Sequence, residues 1–286
     1  MSWRYNSDDS KSIDDLVSWI ITELKDTGGW TEVDSGYDVL QNPDGDFDVY
    51  FSLEASDKRY IQVEIGEAGT WNTSTHSMDT PKISFGIVLY DGASATGSDT
   101  GLVKMGYDDD YCYIMTDYKS AGANYRRCFA YIGLAHAYAS GDTCLVGGST
   151  LFRGSTTAPT NDATGAMTIK MMKDVSGSAT KPTYTPATVC VATSGNTPRG
   201  QLNAAKQGYR YFIPIWLRSN SSYPSGGENA GIRARLNEVY AAFNEDSEAH
   251  GETIKLSNST KEYMYFIQAD TTSYTHLFGR LLFRVV

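Results

Sequence analysis

Between residues 47 and 65 the chain alternates. Phe47, Val49, Phe51 and Leu53 are separated by Asp48, Tyr50 and Ser52, and Ile61, Val63 and Ile65 repeat the pattern after the polar stretch Ser56-Asp-Lys-Arg59. A period of two puts one set of side chains on one face of a pleated strand. Two such runs about a polar turn predict a β-hairpin. Asn42-Pro-Asp-Gly45, just before it, has the composition of a turn. Further short runs at 83–90, 102–107, 111–116, 127–134, 168–172, 209–217, 263–268 and 277–286 are rich in apolar and aromatic residues and broken by Gly, Asp and Ser. Asp108-Asp-Asp110 falls between two of them as a loop tip. So many short strands with turn-like breaks predict a mainly antiparallel sheet.

One segment has a different period. Ser12-Ile-Asp-Asp15 has the form of a capping box, and Ile13, Leu16, Val17, Ile20 and Leu24 follow at helical spacing until Gly28-Gly29. The fold class expected is therefore α+β, predominantly antiparallel β, sandwich- or barrel-like, with one N-terminal helix and long loops. The stretch 232–243 reads two ways. Ile232, Leu236, Val239, Tyr240 and Phe243 fit a helical face, and the same residues fit two short strands about Asn237-Glu238.

A chain of 286 residues makes one large domain or two modest ones. The composition divides it into 1–146, a helix plus an antiparallel sheet region; 147–208, rich in Gly, Ser, Thr and Pro and read as long surface loops holding one or two strands; and 209–286, a C-terminal β region packing on the first. The three can form one continuous domain. The last ten residues are apolar to the end, which predicts an ordered terminus. They would close a sheet in this chain or add a strand to a neighbour. No apolar run approaches the roughly 18–20 residues of a membrane helix. The opening Met1-Ser-Trp-Arg-Tyr-Asn6 has no apolar stretch behind its charge, so no secretory signal is expected.

The net charge is −10 and unevenly placed: residues 1–57 hold 14 of the 34 acids and 3 of the 24 bases. Such a surface repels phosphate, so specific nucleic-acid binding is not expected there. It suits a solvated face, a basic partner, or a passage along which DNA slides without sticking.

Enzyme signatures are missing: there is no GxGxxG, Walker A loop, HExxH or GxSxG. His76, His136, His250 and His276 are isolated from one another. Cys112, Cys128, Cys144 and Cys190 form no CxxC pair; Cys128 and Cys190 read as small hydrophobes on strands. Asp44-Gly-Asp-Phe-Asp48 begins like a calcium loop but has Val49 at the sixth position and Ala55 at the twelfth. It is read as a turn entering a strand with outward acids. No catalytic, metal or cofactor-binding residue is expected. The 20 tyrosines suit interfaces or sugar-stacking loops as well as ordinary strands.

Three stretches resemble a family of virion structural proteins from tailed bacteriophages. Gly28-Gly29-Trp30 leading into Gly45-Asp-Phe-Asp-Val-Tyr-Phe-Ser52 is similar to the family's opening helix, "GW" and following strand. Cys128-Phe-Ala-Tyr-Ile-Gly-Leu134 and Leu145-Val-Gly-Gly-Ser149 resemble a central strand leading into a "GGS" turn. Arg235-Leu-Asn-Glu-Val-Tyr240, Glu252-Thr-Ile254, Tyr263-Met-Tyr-Phe266 and His276-Leu-Phe278 resemble its C-terminal strands. The resemblance makes 235–240 extended. It implies a non-enzymatic neck, collar or tail component of the virion, assembled in the host cytoplasm. Its partners would be copies of itself in a symmetric ring and other neck or tail proteins, with no membrane and no specific nucleic acid. The alternative is a receptor- or carbohydrate-binding module of a tail fibre or spike, stacking sugars on Tyr184, Tyr223, Trp71 and Trp216. A depolymerase-type hydrolase is a third, less favoured class.

Overall fold

A computed structural model describes residues 3–55, 60–80, 82–89, 96–118, 126–137, 144–149, 168–173, 183–190, 213–219, 232–241, 250–255, 259–267 and 280–286. The fold is mostly antiparallel β with a single helical segment near the N-terminus. Helix α1 (Ile13–Thr22) starts where the sequence places it. Ser12 is extended and its Oγ accepts from the Asp15 amide at 3.2 Å, while the same hydroxyl donates to Asp15 Oδ2 at 2.5 Å. Ile13, Leu16, Val17 and Ile20 form the buried stripe. A wider turn at Glu23–Thr27 ends the helix. A Cβ on Gly28 would lie 2.5 Å from the Leu24 carbonyl oxygen, and Gly29 adopts a φ of +74°, so both glycines are required by the stop.

The strands are β1 (Arg4–Ser12), β2 (Thr31–Glu32), β3 (Val39–Gln41), β4 (Phe47–Leu53), β5 (Tyr60–Glu67), β6 (Trp71–Asn72), β7 (Ser77–Met78), β8 (Ile83–Val88), β9 (Thr100–Tyr107), β10 (Tyr111–Tyr118), β11 (Arg126–Leu134), β12 (His136–Ala137), β13 (Leu145–Ser149), β14 (Thr168–Lys173), β15 (Thr183–Cys190), β16 (Ile213–Ser219), β17 (Ile232–Ala241), β18 (Thr253–Lys255), β19 (Glu262–Ile267) and β20 (Arg280–Arg284). A small sheet has the order β2-β3-β4-β5-β8, and β6-β7 is a separate hairpin. The large sheet runs β1-β9-β10-β11-β13-β14-β15-β16-β17-β20-β19-β18, and β12 pairs with β17. Because β12 directly follows β11, its pairing of His136 with Arg235 brings the path from β11 through β17 back to its own start. The large sheet is therefore rolled and closed on that side. Among the described residues its free edges are β1 and β18.

β10 is the middle of the molecule. Cys112, Ile114 and Tyr118 pack into an interior shared with α1, Val49, Phe51, Ile65 and Phe85. Tyr111, Tyr113 and Met115 pack into a second interior with Phe129, Val239, Phe266, Leu281 and Phe283. Between the small and large sheets, a Cβ on Gly147 would lie 2.5 Å from Ile65 Cδ1 and 2.9 Å from Phe85 Cε1. This glycine sets the close approach of the two layers. Ser149 Oγ donates to the Gly86 carbonyl at 2.8 Å and Thr116 Oγ1 to the Val88 carbonyl at 3.3 Å, which satisfies polar groups within that layer.

Several expectations are corrected. Leu145–Ser149, expected as a strand end and "GGS" turn, is a fully buried strand between β11 and β14. By contrast, Thr168–Lys173 and Thr183–Cys190 are strands, within the one or two expected inside the segment 147–208. Arg4–Ser12 is a strand with no apolar alternation to announce it; its pairing with β9 supplies the reason. The 232–243 segment is extended from Ile232 to Ala241, as the resemblance implied for 235–240 and against the helical period. Its helical look has a cause. Opposite β16, four residues between Arg235 and Tyr240 face one between Pro214 and Trp216, and Glu238 adopts a φ of 54°. This bulge resets the phase, so the buried residues Ala234, Leu236 and Val239 fall at spacings of two and then three. Phe243, the turn at 56–59, residues 209–212, Gln268 and 277–279 lie outside the described residues, as do most of the expected loops. No described helix is long and apolar enough to cross a membrane.

Candidate functional site

Two outward-facing groups of side chains are assembled with residues of the acidic N-terminal part, and two polar clusters tie elements of the large sheet. The first outward group is a rim of carboxylates. Buried Asn42 joins two turns: its Oδ1 accepts from the Asp46 and Phe47 amides at 2.7 and 3.0 Å, and its Nδ2 donates to the Asp109 carbonyl at 3.0 Å. The result brings one carboxylate oxygen each from Asp44, Asp46 and Asp110 within 4.8 Å of one another. Burial, reinforced by Asp44, Asp46 and Asp109, raises the Asp110 carboxyl above its ordinary range. Asp108 is pushed up to about 6, chiefly by burial, although its Oδ1 accepts from the Asp110 and Tyr111 amides at 3.0 and 3.1 Å. None of the five acids forms an ion pair with a described residue.

Asp48 does not belong to this rim. It was expected to point outward and is instead fully buried. Its Oδ2 accepts from the Gly69 and Trp71 amides at 2.8 and 3.3 Å, and its Oδ1 from Gln41 Nε2 at 3.1 Å. A carboxylate with three donors is a structural pin for the turn after β5.

The second outward group lies over the outer face of the small sheet. Asp34 Oδ2 accepts from Trp71 Nε1 at 2.9 Å and lies 2.9 Å from His76 Nδ1. These two bonds hold the Asp34 carboxyl below its usual range. His76 has a φ of 50° and its ring stacks on Tyr37 with centroids 4.1 Å apart and planes 12° from parallel. Trp71 lies beneath, 5% exposed, with Tyr50 at 5.0 Å. The sequence-stated loop residue Trp71 is thus a strand residue under this group. Side chains of Tyr184 and Trp216, and Tyr223 altogether, lie outside what is described. An Asp–His pair resembles part of a catalytic triad, but no described hydroxyl or thiol is hydrogen-bonded to His76, so no nucleophile is in place.

Across the neighbouring strands β17, β20 and β19, Glu238 accepts from Lys261 and from the Tyr263 hydroxyl, with the Arg284 guanidinium at 3.6 Å. Arg284 also lies 5.0 Å from the Trp3 ring. This ties the residues before β1 to the last strand. Elsewhere Arg127 Nε donates to Asp117 Oδ2 at 2.9 Å, and His250 Nε2 lies 3.9 Å from the same oxygen. Burial first, then the Arg127 charge, pushes His250 down to about 4, with Lys104 adding to this and Asp117 opposing it. Burial raises the phenols of Tyr113 and Tyr131 well above their ordinary range. The first cluster ties β17, β19 and β20, and the second ties β10 and β11 to His250.

The histidines remain apart: His76 is at the surface group, His250 in the second polar cluster, His136 exposed on β12, and His276 lies outside the described residues. Cys112, Cys128 and Cys144 are buried on or beside strands. Sequence reasoning singled out both the 44–48 turn and the 108–110 tip but not their meeting. The link is buried Asn42, and nothing in the spacing points to it. No family model matches the chain, and no curated protein sequence matches it.

Proposed function

We propose that the chain is a non-enzymatic structural component of a tailed-phage virion, a ring-forming protein of the neck, collar or tail. One observation carries this reading. Most of the stretches that resemble the family contribute to the framework of the two interiors: Gly28–Trp30 closes α1, and 45–52, 128–134, 145–149, 235–240 and 263–266 contribute to β4, β11, β13, β17 and β19, while 252–254 falls at β18 outside both interiors and 276–278 lies outside the described residues. A resemblance concentrated in load-carrying strands is what a shared architecture would leave. The acidic rim suits a surface that DNA passes without binding, since among the described residues its carboxylates have no paired cation.

The closing strand has a different part in this assembly than a donated strand would. β20 lies between β17 and β19 of its own sheet. The free edge β1 carries Asp8, Asp9 and Lys11 and is bulged between Asp8 and Lys11, and the free edge β18 has three residues. Charged, bulged or very short edges resist strand addition. Neighbouring copies therefore meet through side chains and loops.

The test is the absolute mass of the purified full chain by light scattering, with negative-stain images of the same fraction. A closed ring of about six to twelve copies is the expected result. A trimer would move the protein to a fibre or spike, and a monomer at every concentration would contradict self-assembly into a ring.

A further inference from the structure

Among the described residues, Tyr37 is the one large aromatic side chain left exposed. Its surroundings are ordered. Asp34 is pinned by Trp71 Nε1 and His76, both at 2.9 Å from Oδ2, and its Oδ1 accepts from no described residue. With Nδ1 directed at a carboxylate, a neutral imidazole here donates from Nδ1 to Asp34 and leaves Nε2 as an acceptor. The His76 backbone is held at a φ of 50°, a conformation a side-chain-bearing residue adopts at some energetic cost. The cost falls at the residue that completes the group.

We propose that Tyr37, His76 and Asp34 form a binding site for a neutral sugar ring. The Tyr37–His76 pair offers apolar ring surface to the C–H face of a pyranose. Asp34 Oδ1, His76 Nε2 and the Tyr37 hydroxyl supply two acceptors and one donor for hydroxyl groups at its rim. Flat apolar surface beside fixed polar atoms is the pattern of small-ligand sites. The charge decides the class of sugar. Tyr37 and Asp34 belong to residues 1–57, which hold 14 acids and 3 bases, and Asp34 itself fronts the site, which disfavours sialylated, sulfated or phosphorylated glycans. The site sits on the outer face of the small sheet, so the inference does not rest on ring assembly.

The test uses the intact chain on an array of neutral hexose and N-acetylhexosamine oligosaccharides, with sialylated and sulfated sets beside them. Solution titration of any glycan retained follows, for the wild type, Tyr37→Ala and Asp34→Asn. The expected result is retention of a neutral glycan, weakened at least about tenfold by either substitution, with the light-scattering mass unchanged. Three results would overturn the proposal: no neutral glycan bound at concentrations up to about 10 mM, retention of anionic glycans alone, or binding that both substitutions leave intact. The unchanged mass separates a lost sugar site from a lost assembly.

Discussion

The two faces of β10 look into interiors built on different terms. On one side Cys112, Ile114 and Tyr118 meet mainly aliphatic residues from α1 and from strands that follow one another closely in sequence. On the other, Tyr111 stacks on Tyr131 at 5.3 Å and Tyr113 meets Phe283 at 5.0 Å, so contacts reach from the middle of the chain to its end. The aliphatic interior buries the phenol of Tyr118, whose hydroxyl has no described hydrogen-bond partner. The aromatic one brings phenols and an indole with it, and Tyr113 Oη and Trp3 Nε1 are buried without a described hydrogen-bond partner. Large aromatic area is bought there at the risk of unsatisfied polar groups. One strand thus couples a locally assembled core to one that forms only when the chain's ends meet.

The largest break in that comparison is removal of residues 280–286. This takes away β20 from between β17 and β19 together with buried Leu281, Leu282, Phe283 and Val285. Far-UV circular dichroism and gel filtration should show loss of the folded state. A truncated chain that keeps its sheet would mean that the aliphatic core stands alone.

Next in size, Phe283→Ala should cost about 3–5 kcal/mol in urea unfolding, against about 1 kcal/mol for Ile114→Val on the opposite face. Tryptophan fluorescence and near-UV circular dichroism should give coincident transitions for both variants.

The rim and the His250 cluster differ in pH response, and the signs oppose. Asp108 is pushed up to about 6, so its folded form holds a proton that the unfolded chain has released; its contribution favours folding at low pH and is lost as pH rises from about 4 to 6. His250 is pushed down to about 4, so its neutral form favours folding above about 6.5, and this is lost as pH falls toward 4. Asp108→Asn keeps an acceptor for the two backbone amides and should add about 1–2 kcal/mol at pH 7, after allowance for solvent screening. The variant's melting temperature should rise from pH 4 to 6.5, and His250→Gln should fall over the same range. Equal slopes in the two variants would contradict both assignments.

The smallest effect is at the helix start. Ser12→Ala removes the cap to the Asp15 amide and should cost about 1 kcal/mol by the same urea measurement.

Much of the aliphatic core was legible because its residues keep a clean period. Phe47, Val49 and Phe51 alternate, as do Ile61, Val63 and Ile65, and all six are buried. The capping box at Ser12 and the stop at Gly28-Gly29 were equally plain, because each depends on local chemistry. The aromatic core was harder to read. The bulge at Glu238 disguised β17, and the polar strand β1 owes its existence to β9 rather than to its own pattern. The outward groups were legible only in parts. Asp44, Asp110, His76 and Trp71 were each noticed, but Asp34 meets His76 through the placement of the β6-β7 hairpin, and the two acidic turns meet through Asn42. Sequence spacing records neither contact.

The fold's central claim is that the two cores open as one unit through β10, and the proposed assembly depends on that unit. Native-state hydrogen exchange under increasing urea tests it most directly, by comparing the amides of β10, β4 and β20. The account expects one shared opening free energy with one urea dependence for all three strands. Exchange of β20 through a smaller opening, with β10 and β4 still protected, would contradict it.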